Sequence, residues 1–382
     1  MPRPAVLIVT RNFPPLTGGM ERLMVHAVAA LAETHDVTVI GPSGGDRHCP
    51  GAVRYHGCPA SPALFLPCAL TKGLREARRG SYGLVLGGSG VVAPITRTIA
   101  RVAGARSSLF VHGLDLVAAS AIYQRIFVPA IRQHDLIIAN SENTRRLAID
   151  RGCDETAVSV VNPGCQLPKP GDSPDVGTLR SAHALDDARI VLFVGRMIRR
   201  KGLQPFIREA WPGITAGVDR AKLVIVGDSP ADALNRDEAD ARELESAVAA
   251  ATPESIRFLG KVDDDVLAAC YASADCLVFP LIPVDGDVEG FGMVATEAAA
   301  WGTPTIAFRV GGVADAVSDD LSGRLISPGD YEAFAAAVIE ACTERRYVKE
   351  DIRQFASEFA WPRYAKKLRR ALGLTPARER DE

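Results

Sequence analysis

Short apolar runs at 5–10, 37–40, 84–86, 108–111, 136–139 and 158–161 alternate with longer stretches of mixed character such as 20–32. A second series follows at 190–194, 222–226, 256–259, 276–279 and 305–308. Runs this short, with no strict alternation of polar residues, are the pattern of strands buried on both faces, as in a parallel sheet covered by helices. Between the two series, Pro163, Pro168, Pro170 and Pro174 with Gly164 and Gly171 make a linker composition over 162–175. The pattern predicts two doubly wound α/β halves joined by a hinge.

Two places in this pattern carry chemistry. Residues 293–301, rich in Ala with Met, Val and Glu, predict a helix closed by Gly302, with Pro304 just beyond. Glu289, Gly290, Phe291 and Gly292 lead into that helix and Glu297 lies within it. Unpaired N–H groups and the positive end of the dipole at the helix start suit a phosphate, and the deeper Glu297 suits a neutral hydroxyl. In the other place the run 190–194 ends in Gly195-Arg196, with Lys201-Gly202 five residues on. A planar guanidinium and a point ammonium beyond a strand end, in the crevice where open α/β sheets bind ligands, suit the two phosphates of a diphosphate leaving group. Solvated helix-end and surface charges are the alternative for each residue taken singly.

In the first half, Gly18 and Gly19 fall between the strand run 5–10 and the helix pattern 20–32, where a small backbone can face donor phosphates. The dinucleotide fingerprint GxGxxG is absent there, which argues against a nicotinamide enzyme. His112 follows the run 108–111 at a strand tip, placed to bond a sugar hydroxyl or to stabilise developing charge; a structural histidine is the competing reading.

The order of these pieces resembles the family 4 glycosyltransferases. The resemblance rests on Phe13-Pro14-Pro15 with Gly18-Gly19-Met20-Glu21, Val111-His112-Gly113, Ala139-Asn140-Ser141 with Thr144-Arg145, and Asn162-Pro163-Gly164. It continues through Val194-Gly195-Arg196 to Lys201-Gly202, Val226-Gly227-Asp228, and Glu289 with seven residues before Glu297. It implies the GT-B architecture, two Rossmann-like domains facing a central cleft. Residues 1–165 would form an acceptor domain, with the C-terminal helix within 361–382 crossing back onto it, and 166–360 a nucleotide-sugar donor domain. It also implies that Arg196 and Lys201 hold the donor phosphates, that Glu289 and His112 lie at the donor sugar, and that Glu297 bonds the ribose. Gly18, Gly19, Gly195, Gly290, Phe291 and Gly292 would complete the donor site. The implied reaction is retaining transfer of a hexose from a nucleotide-diphosphate sugar to a glycan or lipid-linked acceptor. The look of the Phe13 and Glu289 motifs leans to GDP-mannose, as in lipid-directed mannosyltransferases. Cys165-Gln166 departs from the family, where a small apolar residue and Asp are common after the Asn-Pro-Gly. Two rivals stay open: a silent nucleotide-sugar binding protein, and an epimerase or phosphorylase on a similar scaffold.

Composition narrows the rest. At 382 residues with 47% hydrophobic content the chain suits two cores. No apolar run reaches the length of a membrane span, and the first strand begins at once, without a signal-peptide pattern. Eight cysteines without a CxxC read as reduced, so the expected location is cytoplasmic. A net charge of −2 conceals an uneven spread. Residues 1–165 carry 17 Lys/Arg against 11 Asp/Glu, 361–382 carry 7 against 3, and 166–360 carry 20 against 32. Within the basic lobe, Lys72, Arg75, Arg78 and Arg79 beside Leu64, Phe65, Leu66, Leu70 and Leu74 suit the anionic inner face of a membrane, with a solvated helix that packs its leucines inward as the alternative. Nucleic acid is not expected, because aromatics are not interleaved with the basic residues. Asp285-Gly286-Asp287 and Asp263-Asp264-Asp265 both read as DxD, yet a metal would duplicate the work of Arg196 and Lys201, so no metal cofactor is expected. Both acidic groups read as loops. His48, Cys49, His56 and Cys58 have no standard zinc spacing and read as a loop too.

Overall fold

The protein, described by a computed structural model over residues 4–227, 238–252, 254–344 and 346–375, divides into two compact units. One comprises Met1–Gly164, Asp285–Gly290 and Trp361–Glu382, the other Cys165–Val284 and Phe291–Ala360. Asp228, at the end of one of the family-like pieces, lies outside the described residues.

The first unit is built on a seven-stranded sheet: β1 (Ala5–Val9), β2 (Asp36–Pro42), β3 (Arg54–Cys58), β4 (Tyr82–Gly87), β5 (Arg106–Val111), β6 (Leu136–Ala139) and β7 (Val158–Val160). Their order is β3-β2-β1-β4-β5-β6-β7, and every pairing is parallel. Alternate side chains of β1 show why its run is unbroken: Leu7 and Val9 enter one buried cluster with Phe65, Val85 and Ile99, while Val6 and Ile8 enter another with Leu23, Met24 and Val28. A strand buried on both faces has no position for a polar residue.

The second unit repeats the plan with β8 (Arg189–Val194), β9 (Ala221–Val226), β10 (Ile256–Gly260), β11 (Cys276–Phe279), β12 (Thr305–Phe308) and β13 (Gly323–Ile326), ordered β10-β9-β8-β11-β12-β13 and parallel throughout. Val191 and Phe193 serve one face, Ile190, Leu192 and Val194 the other. In each sheet the strand order reverses once, beside β1 and β4 or beside β8 and β11, and ligands of open α/β sheets bind beyond the strand ends at that reversal.

The C-terminal helix Trp361–Ala371 belongs to the first unit. Its Tyr364 and Leu368 are buried with Leu23 and Met24 of the helix Gly19–Ala32, and the Arg369 guanidinium reaches the Ala30 carbonyl (2.9 Å) and the Glu33 carboxylate (2.8 Å). Pro362 sits in its first turn, where a missing N–H costs nothing. Cys165, in the second unit, donates from its backbone N–H to Phe359 O (2.7 Å), and its buried thiol is pushed up to about 12, first by burial and then by the Glu297 charge.

Several local expectations are corrected. The stretch holding His56 and Cys58 is strand β3 rather than a loop. Asp263-Asp264-Asp265 is the start of the helix Asp264–Ser273, with the Asp263 carboxylate accepting from Val266 N–H at 2.9 Å. On the helix Pro62–Arg79, Phe65 is fully buried, Leu66 and Leu70 pack against the core, and the Lys72 ammonium bonds the Gly57 carbonyl. Of its leucines Leu64 is the exposed one, at 58%, beside the exposed Arg75, Arg78 and Arg79.

Candidate active site, in two halves

In the second unit, β8 ends at Val194 and the chain turns through Gly195 and the exposed Arg196 into a single 3-10 turn, Arg199–Lys201. Gly202 then begins the helix Leu203–Glu209 at φ 67°. A Cβ there would stand 1.8 Å from the Pro280 carbonyl oxygen, so this left-handed position against the end of β11 admits only glycine. The tight turn delivers Lys201 to the reversal between β8 and β11. Its side chain is 8% exposed, with Nζ 4.5 Å from the centre of the Phe279 ring. An ammonium over an aromatic face is attracted by the ring quadrupole.

The helix Met293–Ala300 starts after Gly292, in the left-handed region at φ 99°, with no side chain capping its first N–H groups. Those donors are what an anion would use. Four residues into the helix, Glu297 accepts from the buried Tyr271 hydroxyl at 3.0 Å. Phe291 is 2% exposed, against Phe359 with ring centroids 5.7 Å apart. Its side chain therefore fixes the loop from inside and is not presented to a ligand; only its backbone is available for the donor contact the sequence suggested.

Glu289 and Gly290 fall in the first unit, Phe291, Gly292 and Glu297 in the second, so the most informative block of the sequence is divided between them. Within the first unit a Cβ on Gly290 would meet the Asn140 amide nitrogen at 2.5 Å and the His112 carbonyl oxygen at 2.9 Å. Gly286, between Asp285 and Asp287, packs on Val117 and Ala119. Among the described residues no three His, Cys, Asp or Glu side chains gather as metal ligands would.

His112 follows β5 and is 6% exposed. Its Nε2 lies 2.9 Å from the Gly88 carbonyl, just beyond β4, and its Nδ1 has no partner among the described residues. The next register position, just beyond β6, is Asn140, whose amide oxygen is also buried and without a partner among the described residues. Gly18 precedes the helix Gly19–Ala32, whose first turn holds the buried Glu21, itself bonded by the Asn12 amide (3.2 Å). A carboxylate thus already occupies that helix start, which weakens the reading of Gly18 and Gly19 as a phosphate cradle. Tyr271 and Asp115 escaped sequence reasoning, although Asp115 had a local signal three residues after His112; Asn140 was noted only within Ala139-Asn140-Ser141, with no role assigned to it.

Residues 17–167 match a family model described as Glycosyltransferase Family 4, and residues 188–344 match one described as Glycosyl transferases group 1. The chain is a family 4 glycosyltransferase. As such it is a retaining enzyme that uses a nucleotide sugar. It is 28% identical over 357 residues to the GDP-mannose-dependent alpha-(1-6)-phosphatidylinositol monomannoside mannosyltransferase of Mycolicibacterium smegmatis, covering 89% of this chain and 90% of that protein. It is 33% identical over 235 residues to the D-inositol 3-phosphate glycosyltransferase 2 of Catenulispora acidiphila, covering 59% of this chain and 53% of that one. Among solved structures, Anabaena HepE in complex with UDP superposes with a TM-score of 0.78 at 19% identity, covering 97% of this chain and all of that one. Sucrose-phosphate synthase of Thermosynechococcus elongatus gives 0.75 at 21%, covering 97% and 98%. The transferase therefore has the GT-B fold.

Proposed function

We propose that the transferase moves a hexose, mannose from GDP-mannose, to a lipid-linked or glycan acceptor. The observation that carries this reading is the near full-length similarity to a GDP-mannose-dependent mannosyltransferase, whereas similarity to the inositol-phosphate glycosyltransferase covers little more than half of either chain. In this reading the second unit binds the nucleotide diphosphate. Arg196 and Lys201 neutralise charge on the departing phosphates, the N–H groups after Gly292 add to that, and Glu297, oriented by Tyr271, bonds the ribose. The first unit binds the acceptor, with Glu289 and His112 assigned to the transferred sugar.

Retention is assigned to a front-side route. The anomeric C–O bond to phosphate breaks as the acceptor oxygen forms its bond on the same face, and the acceptor proton passes to the leaving phosphate oxygen. The chain's own contribution is electrostatic, and it peaks when the diphosphate carries its full charge. Two cationic side chains make a divalent metal redundant. With Phe65, Leu66 and Leu70 packed inward, the helix Pro62–Arg79 offers an anionic surface mainly Arg75, Arg78, Arg79 and Leu64. No helix among the described residues is long and apolar enough to cross a membrane.

Thermal shifts across a panel of nucleotide sugars test the donor assignment. GDP-mannose should raise the melting temperature more than UDP-glucose, UDP-N-acetylglucosamine or GDP alone. A larger rise with a uridine donor would replace the guanine and mannose assignment.

A further inference from the structure

His112 stands on an unusual turn. Gly113 has φ 79° and ψ −65°, and the Leu114 N–H donates back to the His112 carbonyl at 3.0 Å, which together define the rare, strained γ-turn with positive φ. Strained turns persist where their surroundings hold them, and here the hold is visible. One oxygen of the Asp115 carboxylate accepts from the His112 backbone N–H at 3.0 Å, the other from the Tyr123 hydroxyl at 3.2 Å. Tyr123 lies on the helix Ala121–Ile131. Burial, and then the Asp115 charge, push its hydroxyl well above the ordinary tyrosine range, so it stays a donor. Gly90 closes the third side: a Cβ there would stand 2.4 Å from the Tyr123 oxygen and 2.9 Å from the Asp115 Cβ.

The Gly88 carbonyl determines what the imidazole can do. A carbonyl oxygen only accepts, so the 2.9 Å contact with Gly88 requires a proton on Nε2. In the neutral ring Nδ1 then carries a bare lone pair, and it is buried without a partner among the described residues. We propose that Asp115, held by Tyr123, is a positioning residue that locks the His112 turn so that Nδ1 accepts a hydrogen bond from a sugar hydroxyl. The proposal rests on the reading of His112 as a sugar-contacting residue.

The test compares Asp115→Ala, Asp115→Asn, Tyr123→Phe and His112→Ala in the full chain. It measures kcat, donor KM and melting temperature, with ¹⁵N spectra of histidine-labelled protein to follow the His112 ring. Asp115→Ala should lower kcat roughly 10- to 100-fold with donor KM little changed, the size of a small misplacement at a reacting centre. Asp115→Asn should recover most of that loss, because its amide oxygen still accepts from the His112 N–H. The His112 Nδ1 resonance should be that of an unprotonated nitrogen in the wild type and should move in Asp115→Ala. Wild-type kcat in Asp115→Ala beside an impaired His112→Ala overturns the positioning role, as do equal losses in the Ala and Asn variants. A His112→Ala variant at wild-type rate removes the underlying reading of His112, and the ring signal then decides by itself: unmoved in Asp115→Ala, it overturns the proposal. If Asp115→Ala does not fold, Tyr123→Phe decides, with a kcat loss of roughly 3- to 10-fold expected and an unchanged kcat contradicting it.

Discussion

At the scale of single residues, the two glutamates of the Glu289–Glu297 block are assigned separable tasks. A ribose contact at Glu297 serves every nucleoside diphosphate, so Glu297→Ala should weaken binding of bare GDP as well as of the sugar donor, by about tenfold for one lost hydrogen bond to a charged group. Glu289→Ala should leave GDP affinity little changed and lower turnover instead. Isothermal titration of GDP into both variants checks this; equal losses, or a loss at Glu289 alone, would reverse the assignment. Arg196, Lys201 and Glu297 stood out in the sequence as charges at set spacings after a strand or inside an apolar helix, and of the three only Lys201 is buried. Phe291 was read as a donor contact because a short window cannot tell an aromatic that faces a ligand from one that faces Phe359. The Asp115–His112 lock was invisible, since a γ-turn is defined by dihedral angles that four letters of sequence do not specify.

At the scale of elements, eleven of the thirteen strands lie on the apolar runs of the sequence, and the two that were missed, β3 and β13, both stand at a sheet edge, as β7 and β10 also do. β3 pairs only with β2 and β13 only with β12. An edge strand shares one neighbour, so β3 can carry Arg54 and His56, and β13 can be four residues with a glycine and an arginine. The acid run at 263–265 was misread for a related reason: a capping aspartate and a solvated loop aspartate have the same local composition. As a cap, Asp263 carries a stability prediction. Asp263→Ala should lower the unfolding free energy by about 1 kcal/mol in urea titration, and Asp263→Ser by less. No difference between Ala and wild type would mean that the 2.9 Å bond to Val266 contributes nothing.

For the whole molecule, two consequences follow from burial and charge. His134 and His26, both in the first unit, have their pKa lowered from 6.5 to about 4, in each case first by burial. The unfolded chain therefore binds more protons than the folded one between pH 6.5 and pH 4. The stability these neutral rings contribute is present above pH 6.5 and is lost as pH falls through that window. Calorimetric melting should show a falling transition temperature from pH 7 to pH 4.5, with a shallower slope in His134→Gln; equal slopes would contradict the buried neutral ring. The clamp has the second consequence. If Arg196 and Lys201 take the role of a metal, as proposed, transfer activity should survive excess EDTA, and complete loss restored by Mn²⁺ would move the diphosphate site to Asp285 and Asp287. The most direct measurement is the turnover rate of Arg196→Ala and Lys201→Ala with the preferred donor at saturation. The account predicts a fall of roughly two or more orders of magnitude in each variant with the melting temperature nearly unchanged; near-normal turnover in both would contradict it.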